Sequence, residues 1–428
     1  MGLHRVPGRG RAPGARLTPA SGHRKSHARV RRLALALLLV LGIAIALALA
    51  EVALRAHARR AFAVRTHRYM INDPVVHHRP RPGLSAVVAG APFETNSLGL
   101  RDREYARPKP ASVVRVLMLG DSFTEGAGLN LDDTVARRVE RALSARGCGA
   151  YEVVNAGVAS YSPILEYLLL QQLAPVLEPD AVVLNFDMTD VHDDTVRTEI
   201  ARLDARGLPV AVSPDPIRET ALVLPPPPWL GPLGPRVNRL VLYQELRKSE
   251  PGRWLLGPVK TSPEQLAAAE LVGDPQYDPL AITRADDSPA LQRAWFLTER
   301  YLVGIRDLAR ARGVPFVLVV YPHAHQVSAS ESPVGRRQLG AGAGLYTSAR
   351  PFARLEALGR REDFPVINLL RTFRARAGEG PLFRHADIHH TAAGAAVFAD
   401  GIVSGLSAAR VLLGVPECRR PTRDRGGR

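Results

Sequence analysis

Two short segments carry residue types that together could perform nucleophilic acyl chemistry. The first is Gly120-Asp121-Ser122-Phe123-Thr124-Glu125-Gly126, and the second is Asp387-Ile388-His389-His390-Thr391-Ala392-Ala393-Gly394. A serine hydroxyl is a poor nucleophile without a base. An imidazole accepts its proton near neutral pH, and a carboxylate on the far ring nitrogen fixes the tautomer. Asp387 and His389 are two residues apart on one loop and can point into one crevice. Each segment alone has a second reading. Asp121 or Ser122 suits a helix N-cap, and so does Asp387, with His389 then incidental.

The surrounding pattern supplies the elements that must position them. VRVLMLG (114–120) is a near-continuous apolar run ending in glycine, as expected of a strand buried on both faces. Further strands are expected at 152–158, 181–187, 314–322 and 365–370. Helices are expected at 133–146, 163–177, 290–312, 348–359 and 391–409. Alternating strands and helices give a parallel sheet covered on both faces, whose ligands sit outside the carboxyl ends of the strands. Ser122 follows the first strand and the Asp387–His390 loop follows the fifth. Residues 191–289 interrupt the alternation with a Pro-rich segment, either an insertion near the site or a flexible surface excursion, holding one amphipathic stretch at 236–248. Before the first strand, 55–110 reads as a juxtamembrane connector with a short strand or two, such as Phe93–Leu100.

The blocks LGDSFTEG (119–126), VVNAGVASYSP (153–163), VVLNFDMTD (182–190) and DIHHTAAG (387–394) resemble those of the SGNH/GDSL hydrolase superfamily. TNSLGLRDREY (95–105) is similar to the lead-in of its membrane-anchored bacterial members. The resemblance covers about 93–190 and 314–410 and leaves the insertion outside. It implies an α/β fold: a three-layer α/β/α sandwich with a flavodoxin-like parallel sheet. It implies Ser122 as nucleophile, His389 as general base and Asp387 as the carboxylate orienting it, with no metal or other cofactor. His389 is preferred to His390 because Asp387 precedes it by two and Gly394 follows it by five. The implied oxyanion hole is made of the Ser122 and Ser160 backbone N–H groups and Thr189. Two of these depart from the family pattern: Ser160 stands where a glycine is usual, and Thr189 where an asparagine amide is usual.

Other residues are weaker candidates. His192, Asp193 and Asp194 could line the site or bind a metal, but suit a solvated acidic loop. His323 and His325 sit at the fourth strand end, and two histidines without a placed carboxylate make a poor zinc site. Trp229, Tyr243 and Trp254 could stack on sugars or pack a lid.

Charge and hydropathy place the chain. The net charge is +16 over 428 residues, but residues 1–32 carry nine Lys/Arg and no acid, and the 415–428 tail is also basic. Charge gathered in the ends rather than on a folded face argues against nucleic-acid binding. Two cysteines, Cys148 and Cys418, exclude a disulfide scaffold and a cysteine metal cluster. Residues 33–50 contain no charge and span about 27 Å as a helix, close to the hydrocarbon thickness. The expected organisation is a basic cytoplasmic segment (1–32), a transmembrane signal anchor (33–54), the connector, a hydrolase-like domain (111–412) and a basic tail (413–428). The positive-inside rule then exports the domain. Ala48-Leu49-Ala50 fits a cleavage site, so a removed signal peptide is the alternative. The expected function is an extracytoplasmic serine esterase acting on acyl esters, such as acetyl groups of envelope polysaccharide. The alternatives are an O-acetyltransferase using the same three residues and a non-catalytic glycan-binding protein on the same fold.

Overall fold

Five apolar runs pair into one parallel sheet: β1 (Val113–Gly120), β2 (Ala150–Gly157), β3 (Ala181–Phe186), β4 (Phe316–Val320) and β5 (Val366–Asn368). The computed structural model describes residues 21–64, 69–145, 150–223, 228–252, 272–338 and 347–411. Cys148, Cys418, Trp254 and the 413–428 tail lie outside the described residues.

The strand order is β5-β4-β3-β1-β2, the doubly wound arrangement that the sequence implied. In register, Gly120 faces Gly157, Leu117 faces Val182, and Val319 faces both Asn185 and Ile367. Side chains alternate across the sheet with period two. Leu117, Leu119, Val154, Val182 and Leu184 join one core with the helices Pro163–Leu177 and Pro289–Arg310. Val116, Met118, Val153, Val183 and Val317 join the other with the helices Val135–Ser144 and Ala392–Ala408. Both faces are covered, which is why the strands read as apolar throughout.

Three expectations are revised. The expected connector is partly core: Met70, Val76, Leu100 and Tyr105 are buried with the sheet. Its strand ends at Glu94, where Ala91–Glu94 pairs with Ser85–Val88. Beyond it Asn96 Oδ1 accepts from the Leu98 and Leu100 amides, and that local turn outcompetes extension through Leu100. The insertion is also more ordered than a loop. It opens with the helix Asp190–Thr198, then a hairpin of Ala201–Leu203 with Pro209–Val212. Segment 236–248 is two helices, Gly234–Asn238 and Val241–Lys248, parted by the extended Leu240; Gln244 donates to the Asn238 carbonyl across the break.

The described residues fall into two units, one ending at Leu54 and one beginning at Arg55. The helix Ser21–Val64 contains one stretch, Arg29–Arg60, long and apolar enough to cross a membrane. A signal sequence has the same length and composition.

Candidate active site

β1 ends in Gly120, whose φ of 155° and close approach to Thr124 leave no room for a side chain; a Cβ would lie 2.1 Å from the Thr124 hydroxyl. The chain therefore turns at once into the helix Ser122–Glu125. Asp121 caps it by accepting the Phe123 amide at 2.9 Å, so the capping and chemical readings of this segment fall on adjacent residues. Ser122 is left with its hydroxyl free of capping duty. The far end of the helix is tied by Arg101, which is 1% exposed. Its guanidinium donates to the carbonyls of Glu125, Gly126, Leu129 and Pro92. Arg101 lies in the lead-in block, but nothing in its local sequence shows that it is buried there.

The second segment meets the first across 267 positions of sequence. His389 Nδ1 lies 2.6 Å from Asp387 Oδ1, and His389 Nε2 lies 2.8 Å from Ser122 Oγ. A carboxylate only accepts, so the ring proton sits on Nδ1 and Nε2 faces the hydroxyl as an acceptor. The His389 hydrogen bond, working against partial burial, holds Asp387 down at about 2. Asp387 is thus ionised wherever His389 could act as a base. Its backbone is fixed by Ser332, whose hydroxyl donates to the Asp387 carbonyl at 2.8 Å.

His390 points the other way. It is 2% exposed, stacks on Phe373 at 5.3 Å and lies against Phe123, Phe383 and Phe398. Neither ring nitrogen has a partner among the described residues, and burial pushes it down to about 3. It is a core aromatic.

The two remaining oxyanion candidates differ. Ser160 has φ 61°, the left-handed region that favours the family's usual glycine. Its N–H has no partner among the described residues, and its carbonyl accepts from Arg197. Thr189 is already committed: its hydroxyl donates to Asp187 Oδ1 at 2.7 Å and its amide donates to the same oxygen at 2.8 Å. A hydroxyl has one proton, so Thr189 reaches an oxyanion only by giving up Asp187.

Asp187 is the group that sequence reading missed. Besides Thr189 it accepts from Tyr321 at 2.8 Å and pairs with His323 Nε2 at 2.7 Å. Against burial, His323 and Thr189 hold it below the usual carboxylate range. Asp121 is pushed well above that range by burial and by the charge of Asp187. His323 is therefore a buried partner of a carboxylate, and His325 is buried behind it with its pKa lowered by enclosure. His192 bonds the Pro275 carbonyl, Asp193 pairs with Arg197, and Asp194 accepts the Ile164 amide. None of the three meets Ser122. Trp229 is exposed and Tyr243 is half-buried on the helix Val241–Lys248.

A family model described as the GDSL-like lipase/acylhydrolase family matches residues 118–339. No curated protein matches the chain. Among solved structures, a GDSL-like lipase from Bacteroides thetaiotaomicron is 14% identical, covering 69% of this chain and 86% of that one at a TM-score of 0.32. A lipase/acylhydrolase from Enterococcus faecalis is 11% identical, covering 69% and 96% at 0.33. The psychrotrophic esterase EstA from a Pseudoalteromonas species is 10% identical, covering 69% and 97% at 0.33.

Proposed function

The chain belongs to the GDSL-like lipase/acylhydrolase family and hydrolyses ester bonds; from that premise we propose that Ser122, His389 and Asp387 are its catalytic residues and that it works outside the cytoplasmic membrane on acetyl esters of envelope polysaccharide. The observation that carries this reading is the unbroken line from Asp387 Oδ1 through His389 to Ser122 Oγ, with links of 2.6 and 2.8 Å.

His389 takes the Ser122 proton as Oγ bonds to the ester carbonyl carbon. Asp387 steadies the imidazolium that results. The carbonyl oxygen gains charge and is met by the backbone N–H groups of Ser122 and Ser160. Collapse expels the alcohol, which leaves with the proton held by His389. Water, deprotonated by His389, then releases the acid and restores Ser122. Thr189 contributes only through a rearrangement that frees it from Asp187.

Two features support the location and the substrate. The apolar helix behind a basic segment fits a membrane address with the catalytic domain exported. A cavity of about 360 Å³ beside Ser160 offers Asn72, Arg197 and Glu219 to substrate hydroxyls alongside the apolar surface of Tyr69 and Met70.

The test pairs the wild type with Ser122→Ala. Covalent labelling by a fluorophosphonate and turnover of p-nitrophenyl acetate are expected in the wild type and lost in the variant. No labelling of folded wild type would sink the reading. Product analysis with an acetylated glycan separates hydrolysis, which gives free acetate, from transfer, which gives a newly acetylated acceptor.

A further inference from the structure

The Ser160 N–H belongs to the same peptide plane as the Ala159 carbonyl, and in a trans peptide the two point in opposite directions. Whatever grips the Ala159 oxygen therefore aims the Ser160 N–H. That grip comes from outside the family-matched segment: His78 Nε2 lies 2.8 Å from the Ala159 oxygen.

The turn that carries this peptide has two available forms. Tyr161 N–H donates to the Val158 carbonyl at 3.0 Å, closing a four-residue turn with a positive φ at its third residue, Ser160. This is the type II pattern, which favours glycine at that residue. The type I form differs by a flip of the central peptide, Ala159–Ser160. Serine prefers type I, because a side chain is strained at positive φ. In the flipped form the Ala159 carbonyl would stand where the Ser160 N–H now points.

We propose that His78 is a positioning residue that locks the Ala159–Ser160 peptide in the orientation presenting the Ser160 N–H to the oxyanion, in place of the glycine the family uses. This rests on the catalytic reading above.

Hydrogen-bond bookkeeping supports the lock. A carbonyl only accepts, so His78 Nε2 carries a proton. Burial and the neighbouring His77 push His78 down to about 3, so its ring is neutral and Nδ1 is a bare acceptor. His77 Nδ1 lies 2.7 Å from it and must donate. His77 Nε2 lies 3.1 Å from Glu219 of the insertion. The relay His77–His78–Ala159 thus runs with each donor facing an acceptor. Tyr161 ties the turn back to the strand that carries His78, His77–Pro80, its hydroxyl donating to the His78 carbonyl at 2.6 Å and its ring meeting the His78 ring edge-on. Arg197, also from the insertion, holds the next carbonyl, that of Ser160. The strand His77–Pro80 and the insertion thereby hold two adjacent peptides of one turn.

The experiment is a mutant cycle on the full-length protein in detergent, reading p-nitrophenyl acetate kinetics and the rate of fluorophosphonate labelling. His78→Ala is expected to lower kcat and the labelling rate together by roughly 10-fold to 100-fold, with KM within about 2-fold. His78→Gln, which retains an N–H donor near the Nε2 position, is expected to recover most of the loss. In the Ser160→Gly background, where the turn holds type II unaided, His78→Ala is expected to cost less than about 3-fold. A folded His78→Ala protein with kcat within about 2-fold of wild type would overturn the proposal. So would an equal loss in both Ser160 backgrounds, which would mark His78 as a general packing residue. If His78→Ala does not fold, the Gln and Gly variants decide alone: Gln as impaired as a His78→Leu control overturns it. Failure of the catalytic reading itself shows separately, as wild-type protein that Ser122→Ala does not distinguish.

Discussion

Two Asp–His pairs flank the same phenylalanine, and they have opposite fates. The Phe123 ring lies 4.8 Å from the His389 ring and 5.4 Å from the His323 ring. His389 pairs with Asp387 at 2.6 Å, and His323 pairs with Asp187 at 2.7 Å. The first pair is partly open, with side-chain exposures of 18% and 34%; the second is sealed at 3% and 2%. His389 has its second nitrogen on a serine hydroxyl. Asp187 instead spends both oxygens on Thr189, Tyr321 and His323. An Asp–His distance therefore does not define a catalytic base. What distinguishes the pairs is a nucleophile on the free nitrogen and access for substrate.

The sharpest way to break this contrast is to remove each base. His389→Ala is expected to cost roughly 10⁴-fold or more in kcat, and Asp387→Asn somewhat less, with the fold intact by circular dichroism. His323→Ala is expected to act mainly on stability. It deprives a buried carboxylate of its hydrogen-bond partner, a loss of about 3 kcal/mol or more by denaturant titration, while kcat of the folded protein stays within about 10-fold. A His323 variant as inactive as His389→Ala and equally stable would merge the two pairs into one machine.

The smallest effect concerns His390, next to the proposed base yet in an apolar cage. Its folded pKa of about 3 lies below the unfolded value of about 6.5. Between those values the unfolded chain binds a proton that the folded chain does not, so the residue's contribution to stability falls as pH drops from about 6.5 toward 3. His390→Leu removes this term. The difference in melting temperature, variant minus wild type, is expected to grow by a few degrees between pH 8 and pH 5. A pH-independent difference would place a proton on His390 in the folded state.

Much of this architecture was legible in the residue order. The five apolar runs become the five strands, and the Ser122 and Asp387–His389 segments meet at the carboxyl ends of the sheet. Reading erred where a local turn or a helix break overrode the pattern, as at Asn96 and Leu240. It also erred in treating 55–110 as a connector, because Met70, Val76 and Leu100 are too sparse to show a period and are buried only by elements far along the chain. Arg101 and His78 were invisible for a related reason: an arginine or a histidine in a turn-rich segment looks solvent-facing until the carbonyls it meets are placed around it.

The sequence by itself determined the sheet, its helical layers, the apolar N-terminal helix and the residue types at the strand ends, because hydrophobic period and turn chemistry are local properties. Only the tertiary structure decided that Asp187 serves His323 and which side chain aims the Ser160 peptide. His323 meets Asp187 across 136 residues and His78 meets Ala159 across 81. A buried polar group takes whatever partner the packing of distant elements delivers, and that choice leaves no periodic trace in the chain.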